Sequence, residues 1–369
     1  MQTSRQKKPE GSLRRGWTTG ACAMAAVAAA YQALLTGTFP NPVTITLPRG
    51  EEPSFDLARM DLGDGQATAS IIKDAGDDPD ITHGAEIIVT VSMDKNSSGI
   101  TFHAGPGVGT VTRPGLALDV GEPAINPTPR KMMQGVIEDL SRKYGGESPA
   151  VAITVSIPGG ETLAEKTLNG RLGIQGGLSV LGTTGVVIPY SCSAWIHSIH
   201  RGVDVARAGG LSHIAAATGS TSEAAARKIL GLHDTQLIDM GDFAGGLLKY
   251  LRKHPVERLT IAGGVGKLTK LAQGAMDLHS SRSRIDMQAL AGMLASLGAN
   301  PDAVARAKAA NTAGEVLEMA GKQGLALGDL IARQAREAAM AALSGDIDVD
   351  VMVIDRNAER VGQSGEGHG

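Results

Sequence analysis

Aromatic residues are scarce, at 3% of the chain. This argues against a single-strand nucleic-acid binder, which stacks bases on aromatic platforms. No charge of one sign dominates either. Thirty-five Lys and Arg against 38 Asp and Glu leave a net charge of −3, which is no basic footprint for duplex DNA. Cysteine is limited to Cys22 and Cys192, far apart in sequence, so neither a disulfide framework nor a zinc cluster is expected. Long apolar runs are missing too: Ala21–Leu35 is too short to span a bilayer and contains Gln32. That run follows basic residues, as a signal peptide would, but its alanine-rich character favours a soluble helix. The expectation is a cytoplasmic protein with neither nucleic acid nor membrane as partner.

What is present is glycine, 49 residues, and a hydrophobic fraction of 42%. The length of 369 residues suits two ordinary domains with a sizeable core. The most unusual stretch is Asp74–Glu86, DAGDDPDITHGAE. It lies between two predicted strands, Ala67–Ile72 and Ile87–Met93, and is punctuated by Gly76, Pro79 and Gly84. The gap is about twice the two to five residues of an ordinary hairpin, and long ordered loops are often functional. Asp74, Asp77, Asp78 and Asp80 repel one another, which a merely structural turn does not require. A solvated acidic turn with Asp side chains capping amides is the competing reading. A calcium loop is disfavoured by the spacing.

In chain order, the polar Met1–Gly11 is expected to fray. Leu13–Gly20, LRRGWTTG, opens a helix through Leu35 with one apolar stripe of Met24, Val27, Tyr31 and Leu34. Thr18 or Thr19 can cap it and Gly37 can end it. The same Thr-Thr-Gly could instead hold a ligand at the helix start, beside Arg14 and Arg15. Strands are predicted at Val43–Leu47, Ser54–Met60, Ile100–Phe102 and within Ala150–Gly160, with a helix over Arg130–Tyr144. His103–Thr110 is glycine-rich, and reads as a tight bend or a backbone cradle. The first half is α+β with a mostly antiparallel or mixed sheet.

From Leu178 onward strand, loop and helix alternate four times, which predicts an α/β Rossmann-like domain with a mostly parallel sheet. Its strands should end at Gly182–Gly185 (GTTG), Thr218–Thr221 (TGST), Asp239–Asp242 (DMGD) and Gly263–Lys267 (GGVGK). Ligands of such sheets sit at those carboxyl ends. Ser220 and Glu223 predict a capping box. Gly263–Lys267 fails as a phosphate loop, because Ile261 and Leu268 stand where Gly and Ser or Thr are needed. What remains is an anion nest at a helix start, with Lys267 and Lys270 beside it. Helices fill Ile285–Ser344, Asp346–Ile354 is a late strand, and Arg356–Gly369 is a polar tail. The domains expected are 1–175, carrying the acidic loop, and 176–369.

LRRGWTTGACA, KDAGDDPDITHGAEI, GPGVGTVTRPGL, GEPAINPTPRKMM, LGTTGVVIPYS and AGGVGKLTKLAQGAMDLHS run in order from Leu13 to Ser280. Together they resemble the cobalt-precorrin-5B C(1)-methyltransferases of the anaerobic cobalamin pathway, the CbiD type. The resemblance implies methyl transfer from S-adenosylmethionine to ring carbon 1 of a cobalt-bearing tetrapyrrole, giving cobalt-precorrin-6A. Cobalt would arrive in the substrate, so no protein metal site is expected. A homo-oligomer is left open. Two other classes compete: a non-catalytic tetrapyrrole carrier, and a nucleotide-dependent oxidoreductase or kinase.

The resemblance fixes no catalytic residue, so roles follow from chemistry. Methyl transfer needs carbon, methyl and sulfur in line, and a base to take a ring proton. Asp77, Asp80 and His83 are the catalytic candidates. Asp74, Gly105, Gly107, Thr183, Thr184 and Gly185 are candidates for the methyl donor. Thr18, Thr19, Arg113, Arg130, Gly263, Gly264, Gly266, Lys267 and His279 are candidates for the acceptor.

Overall fold

A computed structural model describes residues 11–93, 99–144, 150–343 and 345–365. The polar start, residues 1–10, and the last four residues of the polar tail lie outside the described residues. The chain divides into two compact units, one ending at Ser191 and one running from Cys192. The boundary expected at 175/176 falls earlier. The residues after it remain with the first unit, because Gly177–Leu178 pairs in parallel with Gly107–Val108 and Val186–Val187 pairs with Gly16–Trp17.

The first unit is built on the helix Thr19–Thr36. Thr18 caps it, its hydroxyl accepting from the Ala21 amide, and Gly37 closes it in the left-handed conformation. The expected single apolar stripe is too narrow a description. Ala21, Ala23, Ala25, Ala26, Ala29 and Ala30 are all fully buried along with Val27. A helix apolar all round belongs inside a core. Among the described residues it is long and apolar enough to cross a membrane, yet it lies buried within the unit. It packs against the strands Gln66–Ile72 and Glu86–Met93 and against the helix Pro127–Tyr144. Alanine permits this close approach, and the buried Tyr31 hydroxyl meets Ser141 at 2.8 Å.

The sheet beneath is mixed, as the sequence predicts. Its spatial order is Arg59–Gly63, Gln66–Ile72, Glu86–Met93, Val151–Ser156, Ile100–Ala104. Every pairing is antiparallel except the last, which is parallel. Alternate residues, Ala67, Ala69 and Ile71 or Ile87, Val89 and Val91, are buried, the period-two pattern of a sheet with one covered face.

The second unit carries a five-stranded sheet in the order Leu237–Asp239, His213–Ala217, Arg258–Gly264, Asp348–Ile354, Arg360–Gln363. The first four run parallel and the last antiparallel. Three expectations need correction. Leu178 lies in the first unit rather than opening this sheet. Gly219, not Ser220, stands at the N-cap of the helix Ser220–Leu230, with no side-chain cap bond, so no capping box forms. Part of the polar tail, Arg360–Gln363, is an edge strand: one solvated side suffices for polar residues there. The helices Met287–Ser296, Pro301–Lys308, Ala313–Gly321 and Leu327–Leu343 fill the expected helical region, with Asn300 as cap and Pro301 as first residue.

The alanine helix generates the first prediction. Ala26→Leu adds volume to a site without room, and should cost about 1–3 kcal/mol of stability. Urea denaturation checks it, with an unchanged midpoint as the contrary result.

Candidate functional site

In the first unit, three of the phrases singled out above converge through the backbone. Gly16 lies so close to Ala75 that a Cβ on it would come within 2.0 Å of the Ala75 carbonyl carbon, and one on Gly76 would come within 2.2 Å of the Arg14 oxygen. The Trp17 amide donates to the Asp74 carbonyl at 2.7 Å, and the Asp77 amide to the Arg14 carbonyl at 3.0 Å. The Thr18 amide donates to the Gly185 carbonyl at 2.9 Å, and the Gly20 amide to the Leu181 carbonyl at 2.9 Å. The Thr19 hydroxyl accepts the Leu181 amide at 2.9 Å. Thus Thr18 and Thr19 stand against Leu181, Gly182 and Gly185, with the acidic loop alongside.

Each acid of that loop has a partner. Asp74 forms a two-pronged ion pair with Arg14 and accepts the Gly76 amide at 2.9 Å. The hydrogen bond from Arg14 is the main reason that its carboxyl is held down to about 2. Asp77 accepts the Arg14 amide at 2.6 Å. Asp78 accepts the Tyr190 amide at 2.8 Å, and burial pushes its carboxyl up. Asp80 takes the Lys73 ammonium at 2.6 Å and both the amide and the hydroxyl of Thr82. Burial pushes the Asp80 carboxyl up, but the Lys73 charge and these hydrogen bonds outweigh it and leave it below the usual range. The Lys73 side chain is 1% exposed, and a lysine so deeply buried needs such a partner. His83 uses Nδ1 to accept the Ala75 amide at 3.1 Å, which leaves the proton on Nε2 in the neutral ring.

Other candidates are held by packing. A Cβ on Gly107, whose φ is +79°, would lie 1.8 Å from the Ile157 oxygen, and one on Gly105 would lie 2.0 Å from the Ser156 hydroxyl. Gly185 is crowded in the same way by Leu47. These contacts account for the glycines without a ligand. Arg130 donates to the Ile125 and Pro123 carbonyls and pairs with Glu122 at 2.7 Å, so its guanidinium holds the segment just ahead of the helix Pro127–Tyr144. Arg113 and Thr183 are exposed.

In the second unit the carboxyl ends of three parallel strands border one cavity of about 420 Å³, lined by Thr218, Gly219, Ser220, Thr221, Ser222, Gly264, Gly266, Lys267, Ile354 and Asp355. The helix Val265–Ala272 has Gly266 and Lys267 in its first turn. Lys267 donates to the Thr218 carbonyl and sits 3.0 Å from Asp242. Gly264, Gly266 and Lys267 therefore come together as the sequence suggests, with Gly263 next to them in the strand. His279 is exposed, its Nδ1 2.7 Å from the Ser281 hydroxyl, and it does not line this cavity. Thr218–Thr221, one of the strand ends marked by the sequence, lines the cavity, whereas Ser222, Ile354 and Asp355 are residues that the sequence reading did not single out. The signal for Asp355 was available in the sequence: an acid directly after the apolar strand VMVI.

The chain matches the family model CbiD over residues 5–189 and the CbiD C-terminal domain over residues 277–365. It belongs to the CbiD family. A relative from Paramagnetospirillum magneticum is 58% identical over 96% of this chain and 99% of its own length. One from Bradyrhizobium sp. is 56% identical over 95% and 93%. Both are named cobalt-precorrin-5B C(1)-methyltransferase. The crystal structure of the cobalamin biosynthesis protein CbiD from Archaeoglobus fulgidus is 30% identical, covering 74% of this chain and 84% of that one, with a TM-score of 0.40.

The Lys73–Asp80 pair sets the prediction for this CbiD chain. Asp80→Asn keeps the acceptor for Thr82 but strands a buried ammonium, and should cost about 3–5 kcal/mol at neutral pH. The folded Asp80 titrates below its unfolded value. Its contribution is therefore present above about pH 4 and is lost as pH falls through the folded value. The gap between wild type and Asp80→Asn in urea melts should narrow below about pH 4. A gap constant with pH would contradict the assignment.

Proposed function

We propose that this chain transfers a methyl group from S-adenosylmethionine to carbon 1 of cobalt-precorrin-5B, in cobalamin biosynthesis. The observation that carries this is the match, at 58% identity and across nearly the whole of both chains, to a relative of that name. In the reaction the methyl–sulfur bond breaks with its electron pair passing to sulfur, and a carbon–carbon bond forms at the ring. The donor's sulfonium charge is lost with the methyl group. A base that takes a proton from the ring restores the balance. Little else is required of the protein than alignment of the three atoms and exclusion of water.

Proton handling belongs, in this reading, to the acidic loop, with Asp77, Asp80 and His83 as its members. Their present bonds divide the work. Asp80 is committed to Lys73, and His83 presents Nε2–H, a donor, as long as Nδ1 holds the Ala75 amide. Asp77 has one oxygen on the Arg14 amide and is the carboxylate best suited to accept a proton. The second unit, with parallel strands ending at a polar cavity, is read as a Rossmann-like platform for a ligand.

The activity is tested with S-adenosylmethionine labelled in its methyl group. Label on carbon 1 of the tetrapyrrole is the expected product, and its absence with folded protein and both substrates would overturn the reading. For the loop, Asp77→Asn retains an acceptor for the Arg14 amide and removes only the charge. Single-turnover transfer should fall at least about tenfold, or about 1.4 kcal/mol, at a nearly unchanged melting temperature. A lower melting temperature with normal transfer would make the loop structural.

A further inference from the structure

Glycines in this chain are present for different reasons, close packing and a left-handed backbone among them. At Gly107, Gly16 and Gly263 an added Cβ would collide with protein atoms, so packing requires glycine. The three that line the cavity of the second unit are different. A Cβ on Gly219 or Gly264 would meet nothing within 4 Å, and one on Gly266 only the tip of Ile285 at 3.9 Å. Their backbones need no glycine either. Gly219 is extended at φ 166°, Gly264 has φ −66°, and Gly266 is helical. The space kept clear in front of them is the cavity itself. Small residues that neither backbone nor packing requires fit a wall approached closely by an occupant.

The charges of the wall indicate which occupant. The Lys267 ammonium is balanced by the buried Asp242 carboxylate 3.0 Å away. Asp355 adds a further carboxylate. It is fixed directly after the strand Asp348–Ile354 by the Asn357 and Glu359 amides, both 2.8 Å from Oδ1. Lys267 and Asp355 are the charged residues that line the cavity; with Asp242, which pairs with Lys267 from outside the lining, the three carry one net negative charge. A tetrapyrrole bearing many carboxylate arms would meet repulsion there. S-adenosylmethionine carries a sulfonium and an ammonium against one carboxylate, and has the opposite sign.

We propose that this cavity holds the methyl donor, with Asp355 facing the positively charged amino-acid end and the Lys267 side, with the first-turn amides of Gly266 and Lys267, facing its carboxylate. The donor then sits in the second unit, and not with Asp74 and the glycines of the first. The small hydroxyl residues Thr218, Ser220, Thr221 and Ser222 offer donors and acceptors to the rest of the molecule. This assignment rests on the methyl-transfer reading and adds where the donor lies and what recognises its charge.

The test is calorimetric binding to the full chain. Its probes are S-adenosylmethionine and 5′-methylthioadenosine, which keeps the adenine and ribose but lacks the amino-acid end. Asp355→Asn preserves the acceptor for the Asn357 and Glu359 amides. It should weaken S-adenosylmethionine at least about tenfold and leave methylthioadenosine unchanged. Gly264→Leu, which places a side chain in open space, should abolish binding of both at an unchanged melting temperature. Equal weakening of both probes by Asp355→Asn would put the carboxylate on the ribose and overturn the charge assignment. Wild-type affinity in Gly264→Leu would overturn the location. Failure of the wild-type chain to bind S-adenosylmethionine would instead count against the methyl-transfer reading, so the two failures are distinct.

Discussion

A buried cation organises the first unit. The ammonium of Lys73, 1% exposed, needs a carboxylate within hydrogen-bond reach. Asp80 supplies it from seven residues on, so the chain between them has to turn back on itself. That return sets the shape of the acidic loop. It carries Asp74 and Asp77 to Arg14 and Asp78 to the Tyr190 amide, which in turn ties the N-terminal strand and the Leu181–Tyr190 segment to the loop. The helix Thr19–Thr36 starts from this junction, and Lys73 is close enough for its charge to act on Cys22, whose thiol burial pushes up to about 12. One electrostatic requirement thus fixes the positions of three stretches distant in sequence.

The elements were largely legible where local chemistry decides them. Thr18 and Gly37 announce the ends of the first helix, Asn300-Pro301 announces another, and alternating Ile and Val mark the central strands of both sheets. What was illegible depended on partners far along the chain. Leu178 reads as the first strand of a parallel sheet, but the short strand it belongs to pairs with Gly107–Val108. Arg360–Gln363 has no apolar alternation to declare it, and becomes a strand because Asp348–Ile354 offers an edge.

The candidate site was legible in part for the same reason. Gly264, Gly266 and Lys267 form a local motif, and the motif marks one wall of the cavity. Asp355 lines the same cavity from 88 residues after Lys267 and comes alongside only through the sheet. Glycine content is ambiguous where it stands for packing: Gly105 and Gly107, which read as a tight bend or a cradle, and Gly185, a donor candidate, each answer to a neighbouring chain segment. The density of acids at Asp74–Asp80 was visible at once. Their pairing with Arg14 and Lys73 was not, because a sequence shows charges without their distances.

The order of strands in the second unit also bears on its birth. Asp348–Ile354 lies between Arg258–Gly264 and Arg360–Gln363, so this central strand is made well after the strand Arg258–Gly264 that it pairs with. Until then the edge of Arg258–Gly264 that it will cover has no partner, and the helices Met287–Leu343 that precede it form around an unfinished core. Domains fold as units during synthesis, and long-range parallel pairing is slow. The nascent second unit therefore exposes a sheet edge for as long as it takes to translate some 84 residues, at about 5–20 residues per second. Over those seconds that edge is open to pairing with another strand.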